Sequence, residues 1–314
     1  MKDYVSRVHL NTDCGDNRAM LIDYCLTADS DKQYLAIGWS KDSVYPEHKS
    51  YDSFEKFYGM VREDAKRNGK HINPAVNMFN EAEKDDLFWT RDLNGFYWIC
   101  RAIAPAESMY IRELDIGAVI PVKAYKYSME VPGQIKASFN RARGGIAQRI
   151  YDSLIFEYSK FLYNKLSGEN YFIVNKIEQV DFLGCLPDFE LEELVIAYIQ
   201  IKYDCYVLSN SIANKSTTIK VECELRSRNL QSPQKAVVQV KGGNNRTLRA
   251  GDYRGFLDTG YYVYLYAPHY EKDIESDRII YIEKEDLLSF INDYWSLLPE
   301  NITQWKYLFD ESNV

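Results

Sequence analysis

The sequence predicts an α/β chain built from two modules, and three patterns predict it. Short β-rich runs with turn residues fill the front of the chain to about residue 135. From Gly144 to Gly168 apolar residues recur at helical spacing. Beyond that helix, strands and helices alternate. The expected organisation is a strand-rich domain over residues 1–140, a helical connector over 141–175 and an α/β domain over 176–314.

In the front module, QYLAIGWS reads as a strand and Asp52 to Asn68 as a helix. FWTRDLNGFYWICRAIA reads as two strands joined at Asp92-Leu93-Asn94-Gly95, because Asn-Gly favours a tight hairpin turn. IGAVIPVKAYKY reads as a further strand pair broken at Pro121. The connector helix carries Ile146, Ile150, Leu154, Tyr158, Phe161, Leu162 and Leu166 on one face, with Gly168 as its stop. In the back module a helix is expected from Leu191 to about Tyr203. Strands are expected at Cys205–Leu208, Thr218–Leu225, Ala236–Val240, Tyr261–Tyr266 and Arg278–Ile282, and a last helix at Glu285–Leu298.

Composition narrows the function classes. The 314 residues are 46% apolar and 27% charged, ordinary globular usage that excludes disordered and fibrous architectures. A net charge of -8 excludes coating of nucleic acid or anionic membrane by the overall field, so an anion site must be a local patch. Six cysteines with no CxxC point to reduced thiols. MKDYVSRVHLNTD lacks the apolar core of a signal peptide, and IGAVIPV and YYVYLYA are too short to span a membrane. A cytoplasmic protein without a membrane partner is the expectation. The four histidines show no ligand spacing for zinc, and neither GxSxG nor GxGxxG is present.

The segment TTIKVECELRSRNLQSPQKAVVQVKGG carries the chemistry. Alternation puts Glu222 and Glu224 on one face of a strand, and Val237, Gln239 and Lys241 on one face of the next. A hairpin through Arg226–Gln234 would bring acids, an amide and an ammonium together. Phosphodiester hydrolysis uses such a set: carboxylates hold Mg²⁺, the metal activates a water, and a lysine stabilises developing charge. The same spacing also fits a solvated strand face with incidental charges. From Lys215 to Arg254 there are nine basic and three acidic residues in an otherwise acidic chain. That excess suits a polyanion, with Arg226, Arg228, Arg246 and Arg249 as candidate phosphate contacts; protection of a strand edge is the alternative.

The order LEELV on a helix, then CYVL, VECEL and VVQVKGG resembles the PD-(D/E)xK nuclease superfamily over about residues 180–285. Within it the resemblance is to the Mrr-like branch, whose motif reads QxK. It implies a restriction-endonuclease-like mixed sheet with flanking helices. It further implies a DNA endonuclease of restriction or defence type using Mg²⁺ or Mn²⁺, acting by analogy as a homodimer. Gln239 and Lys241 match the motif, Glu222 takes the place of the acidic metal ligand, and Glu192 matches the acid of the first core helix. Glu222 and Glu192 are thus the implied metal ligands and, with Gln239 and Lys241, the implied catalytic set. The family usually carries Asp where Glu222 stands, and Glu224 competes for the role.

The front runs FWTRDLNGFYWICRA, DIGAVIPVKAY and VPGQIKASF resemble the EVE and PUA-like fold over about residues 30–140. This implies a small β-barrel that takes a nucleobase, modified or not, into an aromatic pocket. Trp39, Trp89 and Trp98 are the candidate stacking residues, Trp39 and Trp89 foremost, with Arg91 and Asp92 as polar neighbours; core packing is the alternative role for each tryptophan. Arg141, Arg143 and Arg149 at the junction are candidate backbone contacts. Two rival functions follow: a nucleic-acid or modified-base binder without catalysis, and an RNA-directed enzyme.

Overall fold

A computed structural model describes residues 3–140, 145–175, 182–208, 221–243 and 246–308. The chain divides into two compact units, Met1–Asn175 and Lys176–Val314, and each is mixed α/β.

The first unit contains β1 (Val5–Val8), α1 (Arg18–Ile22), β2 (Gln33–Ile37), α2 (Phe54–Arg67), α3 (Pro74–Asn80), β3 (Leu87–Arg91), β4 (Tyr97–Ala102), β5 (Glu107–Ile111), β6 (Ile116–Lys126), α4 (Gly133–Asn140), β7 (Ala147–Ile150) and α5 (Ser153–Ser167). Its strands form one mixed sheet in the order β2-β6-β4-β3-β1-β7, with β5 also on β6. β1 runs parallel to β3 and every other pairing is antiparallel. The β3–β4 turn is the Asn-Gly hairpin, with Gly95 at φ 86° and both oxygens of Asp92 engaged. Oδ1 accepts from the N–H groups of Asn94 (3.0 Å) and Phe96 (2.9 Å), and Oδ2 from Trp98 Nε1 (3.2 Å).

Three local expectations change. Pro121 does not break its strand: β6 runs unbroken for 11 residues. The Pro121 carbonyl accepts from Ile103 N, so its nitrogen faces the same edge, just past the end of β4, and the missing N–H falls outside the β4–β6 ladder. The expected helix from Gly144 starts late. Residues 147–150 instead pair with β1 along its whole length, and α5 starts after Asp152, whose Oδ1 caps Ile155 N at 3.0 Å. The stop at Gly168 is where the pattern puts it, at φ 74°. Finally, α5 packs within the first unit rather than linking two: Ser159 bonds Trp89 of β3, and Tyr163 bonds Arg101 of β4.

The second unit contains α6 (Phe182–Cys185), α7 (Asp188–Lys202), β8 (Cys205–Val207), β9 (Cys223–Ser227), β10 (Lys235–Val240), β11 (Thr247–Arg249), α8 (Arg254–Asp258), β12 (Tyr262–Tyr266), β13 (His269–Glu271), β14 (Ile279–Tyr281), α9 (Lys284–Tyr294) and α10 (Glu300–Thr303). The main sheet has the order β14-β12-β10-β9-β8, parallel across β10, β12 and β14 and antiparallel across β10, β9 and β8. β11 and β13 form a separate parallel pair. The front part of the strand expected from Thr218 lies outside the described residues, as do Lys215 and Lys220.

Alternation decides what lies on each face of this sheet. Val237, Val263 and Leu265 pack with Tyr253 and Leu257 around α8. On the opposite face Tyr264 meets Tyr203 at the end of α7, and Tyr198 of α7 meets Phe290 of α9. With both faces covered, all of β10 after Lys235 is buried, and each fully buried aliphatic side chain contributes about 1.5–3 kcal/mol. The central strands therefore read as apolar runs, and the one polar side chain inside β10 beyond Lys235 is Gln239, at 1% exposure.

Among the described residues no helix is long and apolar enough to cross a membrane. Cys14, Cys25, Cys100, Cys205 and Cys223 are free thiols, all buried.

Candidate functional site

In the second unit the β9–β10 register builds the site. Cys223 stands opposite Val238 and Glu224 opposite Val237; Glu222, just before β9, donates its backbone N–H to the Val238 carbonyl at 2.8 Å, so the straight register ends at Cys223. The side chains meet: Gln239 Nε2 donates to Glu222 Oε1 at 2.5 Å. The same nitrogen donates to the Val240 carbonyl at 3.0 Å. Burial, followed by the negative charges of Asp252 and Glu222, pushes the Tyr253 hydroxyl up and keeps it protonated.

The other two members of the expected set meet around a second small space. Glu192 and Lys241 line a pocket of about 30 Å³ with Asp188, Val240, Gly242 and Arg246. Val240 is common to both groups. Of the expected catalytic residues, Glu222 and Gln239 are hydrogen-bonded to each other, while Glu192 and Lys241 only line one pocket together, with Val240 common to both places. Gly242 lets the strand end come close to α7, since a Cβ there would lie 2.8 Å from Asp188 Oδ1 and 3.1 Å from Leu191 Cδ2. Gly243 follows at φ 79°, a conformation that favours glycine.

On α7, Leu191, Leu194, Val195, Tyr198 and Ile199 are buried, Glu192 is half-buried at the stripe's edge, and exposed Glu193 accepts from Asn301 Nδ2 at 2.5 Å. Sequence reasoning passed over Asp188, one turn before Glu192, and Glu190, which is fully buried. The i, i+4 spacing of Asp188 and Glu192 is the signal that points to the first. Glu224 does not share the Glu222 bond: it pairs with Arg226 at 2.5 Å and accepts from the Tyr261 hydroxyl at 3.1 Å. Among the described residues no three His, Cys, Asp or Glu side chains come close enough together to hold a metal ion.

The expected phosphate contacts separate. Arg246 lines the pocket beside Lys241. Arg226 is tied to Glu224 and lies over the Tyr261 ring, while Arg228 lies 3.4 Å from Asp204. Arg249 pairs with Asp273 at 2.7 Å. A paired arginine has its charge partly neutralised locally, so the basic excess of the segment is smaller in space than along the chain.

In the first unit a pocket of about 680 Å³ is lined by Asn11, Thr12, Asp13, Gly38, Trp39, Ser40, Lys41, Arg112, Asp115 and Ile146. Trp39, half-buried, stands in it with φ 73°, a left-handed conformation that costs a non-glycine residue about 1–2 kcal/mol. Such strain persists only where the surroundings over-determine it. Here Asp115 does so by binding Ser40, and Gly117 leaves room for the backbone of Gly38 and Trp39.

Trp89 is the correction in this unit. It is fully buried, stacked on Tyr158 at 6.4 Å, and its Nε1 donates to Ser159 Oγ at 2.9 Å. On a β3 whose first four residues are all buried, it serves the core between sheet and α5 and offers no face to a base. Arg91 is also away from the Trp39 pocket. It bonds Asn140 Oδ1 at 3.1 Å and lies over the rings of Tyr97 and Phe139. Asp92 is taken up by its own turn, by Trp98 and by Lys126, 3.3 Å from its Oδ2. Arg149 is paired with Glu81 and lies over the Tyr4 ring. Arg141 and Arg143 lie outside the described residues.

Beside Phe139, His9 is held low, at about 4, by burial and by the positive charges of Arg7, Arg91 and Arg18. Comparison with protein-family models, with curated proteins and with solved structures finds no match to this chain.

Proposed function

We propose that the protein is a metal-dependent DNA endonuclease of restriction or defence type. The second unit would hydrolyse phosphodiester bonds on a restriction-endonuclease-like sheet. The first, read as a PUA/EVE-like module, would take a nucleobase, modified or not, against Trp39. A homodimer follows only by analogy, from the need to cut two strands. The observation that carries the reading is the Glu222–Gln239 hydrogen bond, with Val240 joining it to the pocket of Glu192 and Lys241.

The donor set is one of hard oxygens: the Glu222 carboxylate and the Val240 carbonyl, with Glu192 across Val240. Mg²⁺ or Mn²⁺ takes such ligands and keeps several waters, so one or two carboxylates suffice. When bound, the ion supplies an activated water and a Lewis acid for a phosphate oxygen. Lys241 stabilises charge on the phosphate, Arg246 beside it binds the backbone, and Gln239 orients Glu222. The test is cleavage of modified and unmodified plasmids with Mg²⁺ or Mn²⁺. Lys241→Ala is expected to lose activity by about two orders of magnitude or more, and a variant cutting as fast as the parent overturns the catalytic assignment.

A second reading is a nucleic-acid binder without catalysis. It is favoured by the absence, among the described residues, of three clustered His, Cys, Asp or Glu side chains. Metal titration separates the two: binding that is lost in Glu222→Gln supports the enzyme, and gel shifts without any metal-dependent cutting support the binder.

A further inference from the structure

In the first unit a single phenyl ring gathers basic side chains from separate strands. The guanidinium carbons of Arg7 and Arg91 lie 5.6 and 5.5 Å from the centre of the Phe139 ring, and the His9 ring meets it edge-on at 4.9 Å. Arg18 joins them from α1. Its Nε donates to the carbonyl of Leu10, next to His9, at 3.4 Å, and its charge acts on His9 together with those of Arg7 and Arg91. Three guanidiniums repel one another, and the face of one ring offsets only part of that repulsion. Arg7 is fully buried and gives its Nη groups to the carbonyls of Gly145 and Ile146 and to Gln148 Oε1. Arg18 and Arg91 are half-buried, and among the described residues neither has a carboxylate within ion-pair distance. Arg91 Nη1 donates to Asn140 Oδ1 at 3.1 Å, which leaves Nδ2 of the exposed Asn140 as a further donor.

We infer that Arg18, Arg91, His9 and Asn140 bind a phosphate-type oxoanion, with Arg7 supplying a fixed positive charge from the interior. The donors fit that ligand. Both Nη groups of Arg18, and Nε and Nη2 of Arg91, bond nothing among the described residues. A guanidinium presents paired N–H groups to the oxygens of a phosphate, and the anion relieves the repulsion that no carboxylate here offsets. His9 makes the site responsive to protons. Among three cations its imidazole stays neutral; a bound anion reverses the local field and favours the imidazolium, so anion and proton bind together. The inference goes beyond the endonuclease reading, since it needs neither a metal nor a base against Trp39. Two sources carry the group, free phosphate and the backbone of a nucleic acid. The second is close to hand: His9 N donates to the Ile146 carbonyl at 2.8 Å, and Ile146 lines the Trp39 pocket.

The experiment is calorimetric titration of the full chain with inorganic phosphate, with sodium chloride at equal ionic strength as the blank. Saturable binding is expected, weakened about tenfold or more by Arg18→Gln and by Arg91→Gln. Arg62→Gln, which changes an exposed arginine of α2, is expected to bind as the parent does. The His9 ring is followed by NMR in the parent, its signal assigned by its loss in His9→Gln. Saturating phosphate is expected to move its midpoint up from about 4 by about one pH unit, the proton-side equivalent of a tenfold coupling. A midpoint that phosphate leaves in place overturns the inference, as does phosphate binding that survives both arginine substitutions. Should Arg91→Gln not fold, Arg18→Gln and the parent's His9 decide. A short DNA duplex of mixed sequence separates the sources. A duplex that displaces phosphate, and is itself held less tightly by Arg18→Gln, assigns the site to a nucleic-acid backbone; one that leaves phosphate bound assigns it to the free ion. Cleavage is read separately. Phosphate binding by a chain that cuts nothing sinks the endonuclease reading alone, and a cutting chain that binds no phosphate sinks this inference alone.

Discussion

Asp115 Oδ1 accepts both the backbone N–H (2.9 Å) and the hydroxyl (2.8 Å) of Ser40, and its Oδ2 accepts the backbone N–H of Asp13 at 2.9 Å. One carboxylate therefore ties two segments that wall the Trp39 pocket. Asp115→Ala removes all three bonds and is expected to cost about 1.5–3 kcal/mol, read as a lower denaturant midpoint. Nucleic-acid binding is expected to fall with it, because the strained backbone at Trp39 loses its tether.

Trp39 and Trp89 are expected to part company. Trp39→Gly keeps the left-handed backbone without penalty and is expected to fold, with base-dependent affinity weakened by about 1–3 kcal/mol in a gel shift. Trp89→Ala empties a core site and is expected to cost about 3–5 kcal/mol of stability. Its remaining folded fraction is expected to bind nucleic acid as the parent does. Equal binding by Trp39→Gly and the parent would rule the pocket out as a base site.

Gly117 offers a test of the same loop by overpacking. A Cβ there would lie 2.9 Å from Phe57 Cε2, 3.0 Å from the Trp39 carbonyl carbon and inside the contact distance of the Gly38 carbonyl oxygen. Because part of that obstruction is backbone, a rotamer change cannot relieve it. Gly117→Ala is expected to destabilise by about 1–3 kcal/mol in chemical denaturation.

His9 predicts an acid dependence. Its folded value of about 4 lies below the ordinary 6.5, so between these pH values the unfolded chain binds a proton that the folded chain does not. The contribution is fully present above about pH 6.5, declines as the pH falls, and is spent below about 4. Solvent screening at this half-buried site reduces it to about 1–2 kcal/mol. Melting His9→Gln and the parent at pH 7 and pH 5 checks it: the variant is expected to lose less stability on acidification. Parallel acid slopes for the two would show that His9 does not contribute.

Much of the second unit is legible in the chain because its sheet is covered on both faces. The runs AVVQV, apolar but for Gln239, and YVYLY lie between turn residues and correspond to β10 and β12 within a residue or so. The Asn-Gly hairpin is equally direct, since its glycine needs the positive φ that the turn requires. Other segments take their structure from a partner strand rather than from their own pattern. Residues 147–150 carry apolar side chains at helical spacing, yet become a strand because β1 offers a partner edge. Pro121 looks like a break until the end of β4 is known.

The sequence by itself determined the α/β class, the polar connection that fits a β9–β10 hairpin, and which residues alternate together along each strand, since strand periodicity and turn chemistry are local properties. Tertiary structure alone decided which tryptophan is buried and which lines a pocket, and which arginines are already paired. It also decided that Lys241 and Glu192 meet across Val240 from Glu222. Those outcomes depend on neighbours brought close by folding from distant parts of the chain, and no spacing along the chain encodes them.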